Sequence, residues 1–183
     1  ELSMICDEAE INVWELIKLA NKHPRVNILN PGIGVGGHCI AVDPWFLVAD
    51  FPEEAKLIKH VRETNKFKTK WCINKITSVA NKYLEDKKAK PKIACMGLSY
   101  KPNVDDLRES PAIEIVNSLN NQGFDLLIVE PNVNSSSIYK IQSIEKALLN
   151  ADILVWLVAH DEFKNKEISK NIIEIDLCGL REK

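Results

Sequence analysis

The stretch KIACMGLSYKPNVDDLRESPAIEIVNSLNNQGFDLLIVEP, residues 92–131, carries the pattern that decides the fold. Its first seven residues, KIACMGL, form a short apolar run with a glycine near its end, which is typical of a buried strand. Ser110 and Pro111 then offer a helix N-cap and a first helical residue, and Gly123 offers a residue that ends the helix. The apolar run at 125–131 predicts a second buried strand. The stretch therefore predicts a strand–helix–strand unit.

The residues that follow continue this alternation. SIEKALLNA at 143–151 predicts a helix, DILVWLVA at 152–159 predicts a third strand, and NIIEIDL at 171–177 predicts a fourth. Strands that alternate with helices imply a parallel sheet with right-handed crossovers. Residues 89–183 are therefore predicted to form a small Rossmann-like domain.

The preceding segment, residues 1–88, predicts helices and loops. Residues 1–21 carry an apolar stripe at helical spacing and predict one helix. Asp43 and Pro44 predict the start of another helix, as its N-cap and first residue, and residues 53–84 predict a long one. The fold class is thus α/β, with an all-helical segment followed by a Rossmann-like domain that contains a parallel sheet. The stripe is formed by Leu2, Cys6, Ala9, Val13, Ile17 and Ala20.

Composition argues against several classes of protein. The 183 residues are 45% hydrophobic and 27% charged, as in ordinary globular proteins, and the formal net charge of −2 favours neither nucleic acid nor an anionic membrane as a partner. No apolar run approaches the roughly 20 residues of a membrane-spanning helix. The acidic start is unlike a signal peptide, and without an initiator Met we expect the chain to be a fragment of a longer protein. Five scattered cysteines without C-x-x-C pairs predict free thiols in a reducing, cytoplasmic compartment.

The loop NPGIGVGGHCIAVDP, residues 30–44, is the first candidate site. Four of the seven glycines of the chain lie here within six residues, directly before His38 and Cys39. Glycine permits positive φ and the close approach of a ligand or of another backbone segment. A helix that begins at Asp43 would favour an anionic thiolate nearby, whereas the alternative for Cys39 is a packed thiol. Because no second pair has ligand spacing, the sequence predicts no metal site.

The turn after the first predicted strand, residues 99–109, is the second candidate site. It lacks the G-x-G-x-x-G fingerprint of dinucleotide binding, but carries Lys101 and Arg108 among three acids. Ligands of open α/β sheets bind beyond the carboxyl ends of the strands, where these two cations would meet phosphates. A solvated loop with surface ion pairs is an equal alternative. The residues alone indicate a thiol site and an anion-binding α/β domain.

Two motifs resemble one known family. GVGGHCIAVDPWF, residues 34–46, is similar to the cysteine loop of the nucleotide-sugar 6-dehydrogenases, the UDP-glucose dehydrogenase superfamily. GLSYKPNVDDLRESPA, residues 97–112, resembles the opening of the C-terminal UDP-binding domain of that family. The motifs occur in family order, and the resemblance extends along the whole chain. The residues around the cysteine are most similar to members that act on UDP-N-acetyl-D-mannosamine, followed by those that act on UDP-N-acetylglucosamine.

The resemblance implies a reaction. Members of the family oxidise the C6 hydroxyl of a UDP-sugar to a carboxylate with NAD as the cofactor, and so supply precursors of surface polysaccharides. It makes Cys39 the nucleophile that holds the aldehyde as a thiohemiacetal and the acid as a thioester. Asp43 matches the aspartate that helps to activate the water that hydrolyses this thioester.

The resemblance also implies binding residues and a partner. Arg108 matches a cofactor contact, and Arg25 matches a residue that reaches the substrate across a dimer. A homodimer through the helical segment is therefore implied. The residues that match contacts with the UDP-sugar substrate are His23, Arg25, Asn30, Pro31, Gly32, Gly36, Tyr100 and Lys101.

Two features depart from the family pattern. The 183 residues do not include a match to its NAD-binding domain, so the chain alone is expected to be inactive. Cys178 stands where we expect a basic residue, which weakens any phosphate contact there. A second hypothesis is a nucleotide-sugar-binding and dimerisation module without chemistry of its own. A third is an unrelated thiol enzyme such as a cysteine hydrolase, for which the sequence identifies no histidine with an orienting carboxylate.

Overall fold

A four-stranded parallel sheet occupies the second half of the chain. The computed structural model describes residues 1–133 and 139–181. The sheet order is second, first, third, fourth strand, and each neighbouring pair is parallel. The α/β class and the helical segment before the sheet are therefore confirmed. The strands are β1 (Lys92–Met96), β2 (Asp125–Val129), β3 (Ile153–Trp156) and β4 (Ile173–Asp176).

Helices precede the sheet and connect its strands. Among the described residues, none of them combines the length and the apolar composition that a bilayer crossing requires. The helices are α1 (Leu2–Glu8), α2 (Val13–Ala20), α3 (Asp43–Asp50), α4 (Lys56–Lys87), α5 (Pro111–Asn121) and α6 (Ile144–Asn150), with a 3-10 turn at Asp161–Phe163.

The prediction of a single helix over residues 1–21 is wrong. Glu10 adopts a φ of 56°, in the left-handed region, which breaks the helix between α1 and α2. The Asn12 side chain then caps α2 by accepting hydrogen bonds from the backbone N–H of Trp14 at 2.8 Å and of Glu15 at 3.2 Å. The apolar spacing continued across the break, so periodicity alone did not reveal it.

Local hydrogen bonds set the first residue of two other helices, α5 and α3. Ser110 is the N-cap of α5, as predicted, and its hydroxyl accepts from the N–H of Ala112 at 3.2 Å. Asp43 is the first residue of α3 rather than its N-cap. The Cys39 carbonyl accepts from Val42 N at 2.9 Å and from Asp43 N at 2.8 Å, so a turn leads directly into the helix.

The hydrophobic core lies on both faces of the sheet. Successive strand residues point to opposite faces, so Ile93 and Cys95 pack towards α4 and α5, while Ala94 and Met96 pack towards α6. The second half of α4 belongs to the first of these clusters. The core therefore crosses the predicted boundary at residue 88, and the division into 1–88 and 89–183 stays a prediction.

Candidate active site

The two candidate loops meet in the structure. We call residues 30–42 the cysteine loop and residues 97–110, which follow the carboxyl end of β1, the β1 loop. The N–H of Gly37 donates to the carbonyl of Arg108 at 3.1 Å. Two segments that are distant along the chain thus form one surface at the edge of the sheet where α/β proteins bind ligands.

Three glycines of the cysteine loop allow this docking. A Cβ at Gly36 would lie 2.4 Å from the carbonyl oxygen of Glu109, and one at Gly37 (φ +90°) would lie 2.9 Å from the Tyr100 ring. At Gly34 a Cβ would lie 2.8 Å from the Thr69 hydroxyl. These glycines therefore admit other parts of the same chain.

Gly32 differs from those three, because a Cβ there would meet nothing within 4 Å. Its predicted contact with the substrate, and that of Gly36, stay predictions.

Helix α4 holds the cysteine loop from the other side. Asn65 accepts from Val35 N at 2.9 Å and donates to the carbonyl of the same residue at 3.4 Å. One turn further on, the Thr69 hydroxyl donates to the Ile33 carbonyl at 2.9 Å. The hydrogen-bond partners of the Asn65 amide are therefore backbone groups of the cysteine loop.

Cys39 is the exposed member of the five cysteines, all of which lie in the described ranges. Burial raises the pKa of Cys72 to about 11 and that of Cys95 to about 12, so these thiols stay protonated at neutral pH. Cys39 lies in the turn that begins α3, and its carbonyl accepts from the N–H of Asp43. The two residues predicted to carry the chemistry are therefore adjacent in space.

Arg108 lies near Cys39, and Asp106 compensates its positive charge. Its guanidinium donates to Asp106 through Nε and Nη2, at 2.6–3.1 Å, and Nη2 also donates to Nδ1 of His38 at 3.2 Å. Asp106 raises the pKa of Arg108, with smaller contributions in the same direction from Tyr100 and Cys39. The same hydrogen bonds lower the pKa of Asp106 to about 2. The guanidinium is therefore within electrostatic reach of the Cys39 thiol.

Lys101 has a different environment from Arg108. Within the described ranges it pairs with no carboxylate, and its Nζ lies 5.4 Å from the centroid of the Tyr100 ring. Its side chain is exposed on the β1 loop. It is therefore a cation whose charge remains available to an anionic ligand.

His23 and Arg25 lie in a loop that has its own hydrogen bonds. They belong to an exposed loop at residues 21–28, which Asn21 closes through two hydrogen bonds with the backbone of Ile28. Nδ1 of His23 accepts from Arg25 N at 3.3 Å, and within the described ranges neither side chain bonds the cysteine loop. Their predicted substrate contacts stay predictions.

The start of the cysteine loop faces another part of the molecule. Asn30 is exposed, and Pro31 lines a cavity of about 220 Å³ together with Trp14, Trp71 and Lys68. This cavity lies between α1, α2, α4 and the end of β4. Asp176 shapes that end by accepting from three backbone N–H groups, including that of Cys178. The role of the Cys178 thiol stays open.

The described residues do not form a seat for a dinucleotide. Residues 32–37 spell G-x-G-x-x-G, but the segment follows no strand and opens no helix, and Gly36 and Gly37 pack against the β1 loop. A Cβ at Gly97 would lie 2.6 Å from Val158, so the turn after β1 is closed. Glu130, which follows β2, points inward to Leu98 N rather than outward to a ribose. The residues present therefore do not fit the pyrophosphate of NAD, and Arg108 is a single candidate contact.

Sequence reasoning missed a buried polar cluster beneath the β1 loop. Glu130 follows β2 and His160 follows β3, and the two side chains lie 3.2 Å apart with almost no exposure to solvent. Asn103 and Asn132 bond to the same histidine. The sequence contained one indication of this cluster. A polar residue follows each of two apolar runs, and both lie at the carboxyl end of the sheet, where the candidate loops also lie.

Two family models match most of the chain. Residues 1–67 match the central domain, and residues 94–179 match the UDP binding domain, of the UDP-glucose/GDP-mannose dehydrogenase family. The chain is 52% identical over 173 residues to a UDP-N-acetyl-D-mannosamine dehydrogenase of Salmonella typhimurium, covering 90% of this chain and 41% of the relative. It is 50% identical to an NDP-N-acetyl-D-galactosaminuronic acid dehydrogenase of Ralstonia solanacearum, covering 98% of this chain and 43% of that relative. The chain thus spans about two fifths of the length of these curated relatives.

Solved structures give the same result. The UDP-D-ManNAc dehydrogenase of Pyrococcus horikoshii has a TM-score of 0.80 and 31% identity, covering 98% of this chain and 47% of that one. A UDP-N-acetyl-mannosamine dehydrogenase of Staphylococcus aureus has a TM-score of 0.77 and 34% identity, covering 98% of this chain and 46% of that one. Sequence and fold agree, and this chain belongs to the UDP-glucose/GDP-mannose dehydrogenase family.

Proposed function

We propose that the chain is the central and UDP-binding part of an NAD-dependent dehydrogenase. This enzyme would oxidise the C6 hydroxyl of UDP-N-acetyl-D-mannosamine to the carboxylate of UDP-N-acetyl-D-mannosaminuronate, a precursor of surface polysaccharides. The observation that carries the proposal is the exposed Cys39, within electrostatic reach of Arg108, in a chain that matches both family models. We propose residues 1–88 as the helical segment of this enzyme and residues 89–183 as its UDP-binding domain.

In the proposed reaction Cys39 holds the reacting carbon covalently. Its thiolate bonds to the C6 carbonyl carbon of the aldehyde and stays bound until that carbon reaches the oxidation level of an acid. Water then adds to the thioester carbon, the C–S bond breaks, and sulfur leaves as a thiolate while the sugar leaves as a carboxylate. Asp43 would accept the proton of the attacking water. NAD, bound outside the described residues, would supply the oxidising power.

Charge supports the proposed placement of the substrate. The exposed ammonium of Lys101 would meet the diphosphate in a charge-assisted contact. Arg108, with Asp106 and His38 fixing its orientation, would place a positive charge near the oxygen that forms on C6. An accessible thiol must stay reduced, so we place the reaction in the cytoplasm.

A homodimer through the helical segment is part of the proposal. Large apolar side chains on α3 and the first half of α4 are exposed, including Phe46 at 65%, Leu57 at 76% and Phe67 at 58%. A surface of this kind favours association with a second copy of the chain.

The relative from Ralstonia solanacearum favours a second candidate substrate, a nucleotide-linked N-acetyl-D-galactosamine derivative. UDP-N-acetylglucosamine and UDP-glucose are two further candidate substrates within the family.

Turnover by the full-length gene product tests the proposal, with each of these sugars and with NADH counted per sugar oxidised. We expect UDP-N-acetyl-D-mannosamine to react fastest and to yield two NADH. Faster turnover of another sugar would reassign the substrate, and no turnover of any of them would favour a non-catalytic binding module. We expect the 183 residues alone to reduce no NAD.

A further inference from the structure

We propose that His160 is a positioning residue for the UDP site, because its Nδ1 anchors Asn103 and thereby holds the turn that carries Tyr100 and Lys101. The inference rests on the proposed function, since the turn matters as a site only if it binds the nucleotide.

The anchor begins with a buried carboxylate. Oε2 of Glu130 accepts from Leu98 N at 2.7 Å and from Ser99 N at 2.9 Å, and Oε1 accepts from Asn132 N at 3.0 Å. Glu130 is 2% exposed and His160 is fully buried. Because a buried carboxylate needs hydrogen bonds in all directions, these donors fix the start of the β1 loop against the ends of β2 and β3.

The hydrogen bonds of His160 define its tautomer. Nδ1 lies 3.0 Å from the backbone N of Asn103 and 2.9 Å from Nδ2 of Asn132, and both of these groups are donors. Nδ1 must therefore present its lone pair, and the proton lies on Nε2, which donates to Glu130 at 3.2 Å. Nε2 thus faces the Glu130 carboxylate, with the Ser99 hydroxyl also 3.3 Å away, whereas Nδ1 accepts from the backbone of Asn103.

Asn103 is held by bonds to two residues that follow β3. Its φ is 61°, in the left-handed region, which asparagine tolerates better than most residues. Besides the bond to His160, its side chain donates to Asp161 at 2.8 Å and accepts from the N–H of that residue at 2.9 Å. At the other end of the turn, the Ser99 hydroxyl donates to the Lys101 carbonyl at 2.8 Å.

The anchored turn places two predicted substrate contacts. Lys101 is exposed in this turn, and Tyr100 packs against Gly36 and Gly37 of the cysteine loop. Release of Asn103 would therefore move the Lys101 cation, and would also remove the support on which the cysteine loop rests. Because His160 is fully buried, a ligand at the surface cannot reach it. Its effect on UDP binding would come from the position of the turn.

Two substitutions separate the two nitrogens of His160. His160→Asn keeps an acceptor near the position of Nδ1 and loses the donor to Glu130, whereas His160→Gln keeps a donor near Nε2 and loses the acceptor for Asn103. Both leave a smaller side chain in the core and lower the melting temperature. We expect His160→Gln to weaken UDP binding by about tenfold, since a bond that fixes the turn is lost. We expect His160→Asn to bind UDP within about threefold of the wild type.

The experiment measures three properties of the 183-residue chain: UDP affinity by calorimetry, melting temperature, and amide exchange of residues 99–108. Faster exchange and weaker UDP binding in His160→Gln than in His160→Asn would support the proposal. UDP affinity that is unchanged in His160→Gln, or that falls equally in both variants together with the melting temperature, would overturn it.

A different measurement would show that the proposed function is wrong. A wild-type chain that binds no UDP would overturn the assignment of the nucleotide site. The exchange comparison would still decide the anchoring by Nδ1: faster exchange in His160→Gln alone supports it, and equal exchange in the two variants contradicts it.

Discussion

Side chains of one type have different chemical states in this molecule because their surroundings differ. Cys72 and Cys95 lie in the core with raised pKa values, whereas Cys39 is exposed at a helix start. Arg108 is compensated by Asp106, whereas Lys101 has no carboxylate partner in the described part of the chain. Exposure therefore distinguishes Cys39 from the buried thiols, and pairing distinguishes Lys101 from Arg108 within the β1 loop.

Lys101→Ala should weaken UDP binding by roughly 1.5–3 kcal/mol, because it removes a charge-assisted contact with phosphate. Lys82→Ala is the matched control. Lys82 is exposed on α4, next to Tyr83, and the Tyr83 hydroxyl donates to Asp152 just before β3. Lys82 therefore lies near the amino ends of the strands, whereas the β1 loop follows the carboxyl end of β1. Calorimetric titration with UDP measures both. Equal losses in the two variants would indicate nonspecific attraction and remove Lys101 from the site.

Cys39→Ser in the full-length gene product should abolish net acid formation, because a serine alkoxide is hard to generate at neutral pH. Asp43→Asn should slow hydrolysis more than acylation, so that a thioester accumulates on Cys39. Mass spectrometry of the intact protein would detect this adduct. Cys178→Ser is the control, which we expect to form acid normally. Full-rate acid formation by Cys39→Ser would contradict covalent catalysis.

At the scale of elements, the site is a junction of three parts: the cysteine loop, the β1 loop and α4. None of these is a site by itself. The α4 side chains hold the cysteine loop through its backbone, and the glycines let it approach the β1 loop closely. The stability of this junction is therefore testable apart from catalysis.

Gly36→Ala should destabilise the fold by about 1–3 kcal/mol, since its Cβ would lie 2.4 Å from the carbonyl oxygen of Glu109 and the loops would have to separate. Gly32→Ala, in the same loop, meets nothing within 4 Å and should leave stability nearly unchanged. Urea unfolding distinguishes the two. Similar stabilities of both variants would mean that the loops do not dock in solution.

Glu130 should make the junction sensitive to acid. Burial by itself raises the pKa of Glu130, but hydrogen bonds from His160, Leu98 and Asn132 outweigh this effect and lower it. A carboxyl whose pKa is lowered in the folded state stabilises the fold at pH values above its pKa in the unfolded chain, which is about 4.3. This contribution is lost as the pH falls through the pKa of the folded state.

Glu130→Gln should therefore cost roughly 1.5–3 kcal/mol at pH 7, because an amide N–H₂ would face backbone donors. The difference from the wild type should shrink below about pH 4. Urea unfolding across this pH range measures it, with the exposed Glu53→Gln as a control. A difference that stays constant with pH would show that the carboxylate does not act through its charge.

At the scale of the whole molecule, most of the large apolar side chains that are exposed belong to the helical segment, whereas the sheet is covered on both faces. Leu57 on α4 is 76% exposed, and Leu149 on α6 is 85% exposed. The two leucines differ in their surroundings, because Leu57 has exposed apolar neighbours on α3 and α4.

Leu57→Glu should dissociate the proposed homodimer, since it places a charge in an apolar interface, whereas Leu149→Glu should not. Light scattering at micromolar concentration measures the mass of each variant. A wild-type monomer would contradict the dimer, and a dimer that persists in Leu57→Glu would place the interface elsewhere.

The sequence by itself determined the four strands, the parallel sheet that they form and the helices that connect them. These features are local: an apolar run, a Ser-Pro cap and a glycine stop depend on residues that are close along the chain. The motifs at residues 34–46 and 97–112 likewise identified the family before any contact was known.

Only the tertiary structure decided which groups face each other. The break at Glu10 needed a positive φ that no spacing revealed, and the glycines of the cysteine loop proved to face Tyr100, Glu109 and Thr69. The pairing of Glu130 with His160 joins the ends of two strands that are 30 residues apart. A sequence pattern records neighbours along the chain, whereas burial, pairing and close approach depend on neighbours in space, which exist only after the sheet has formed.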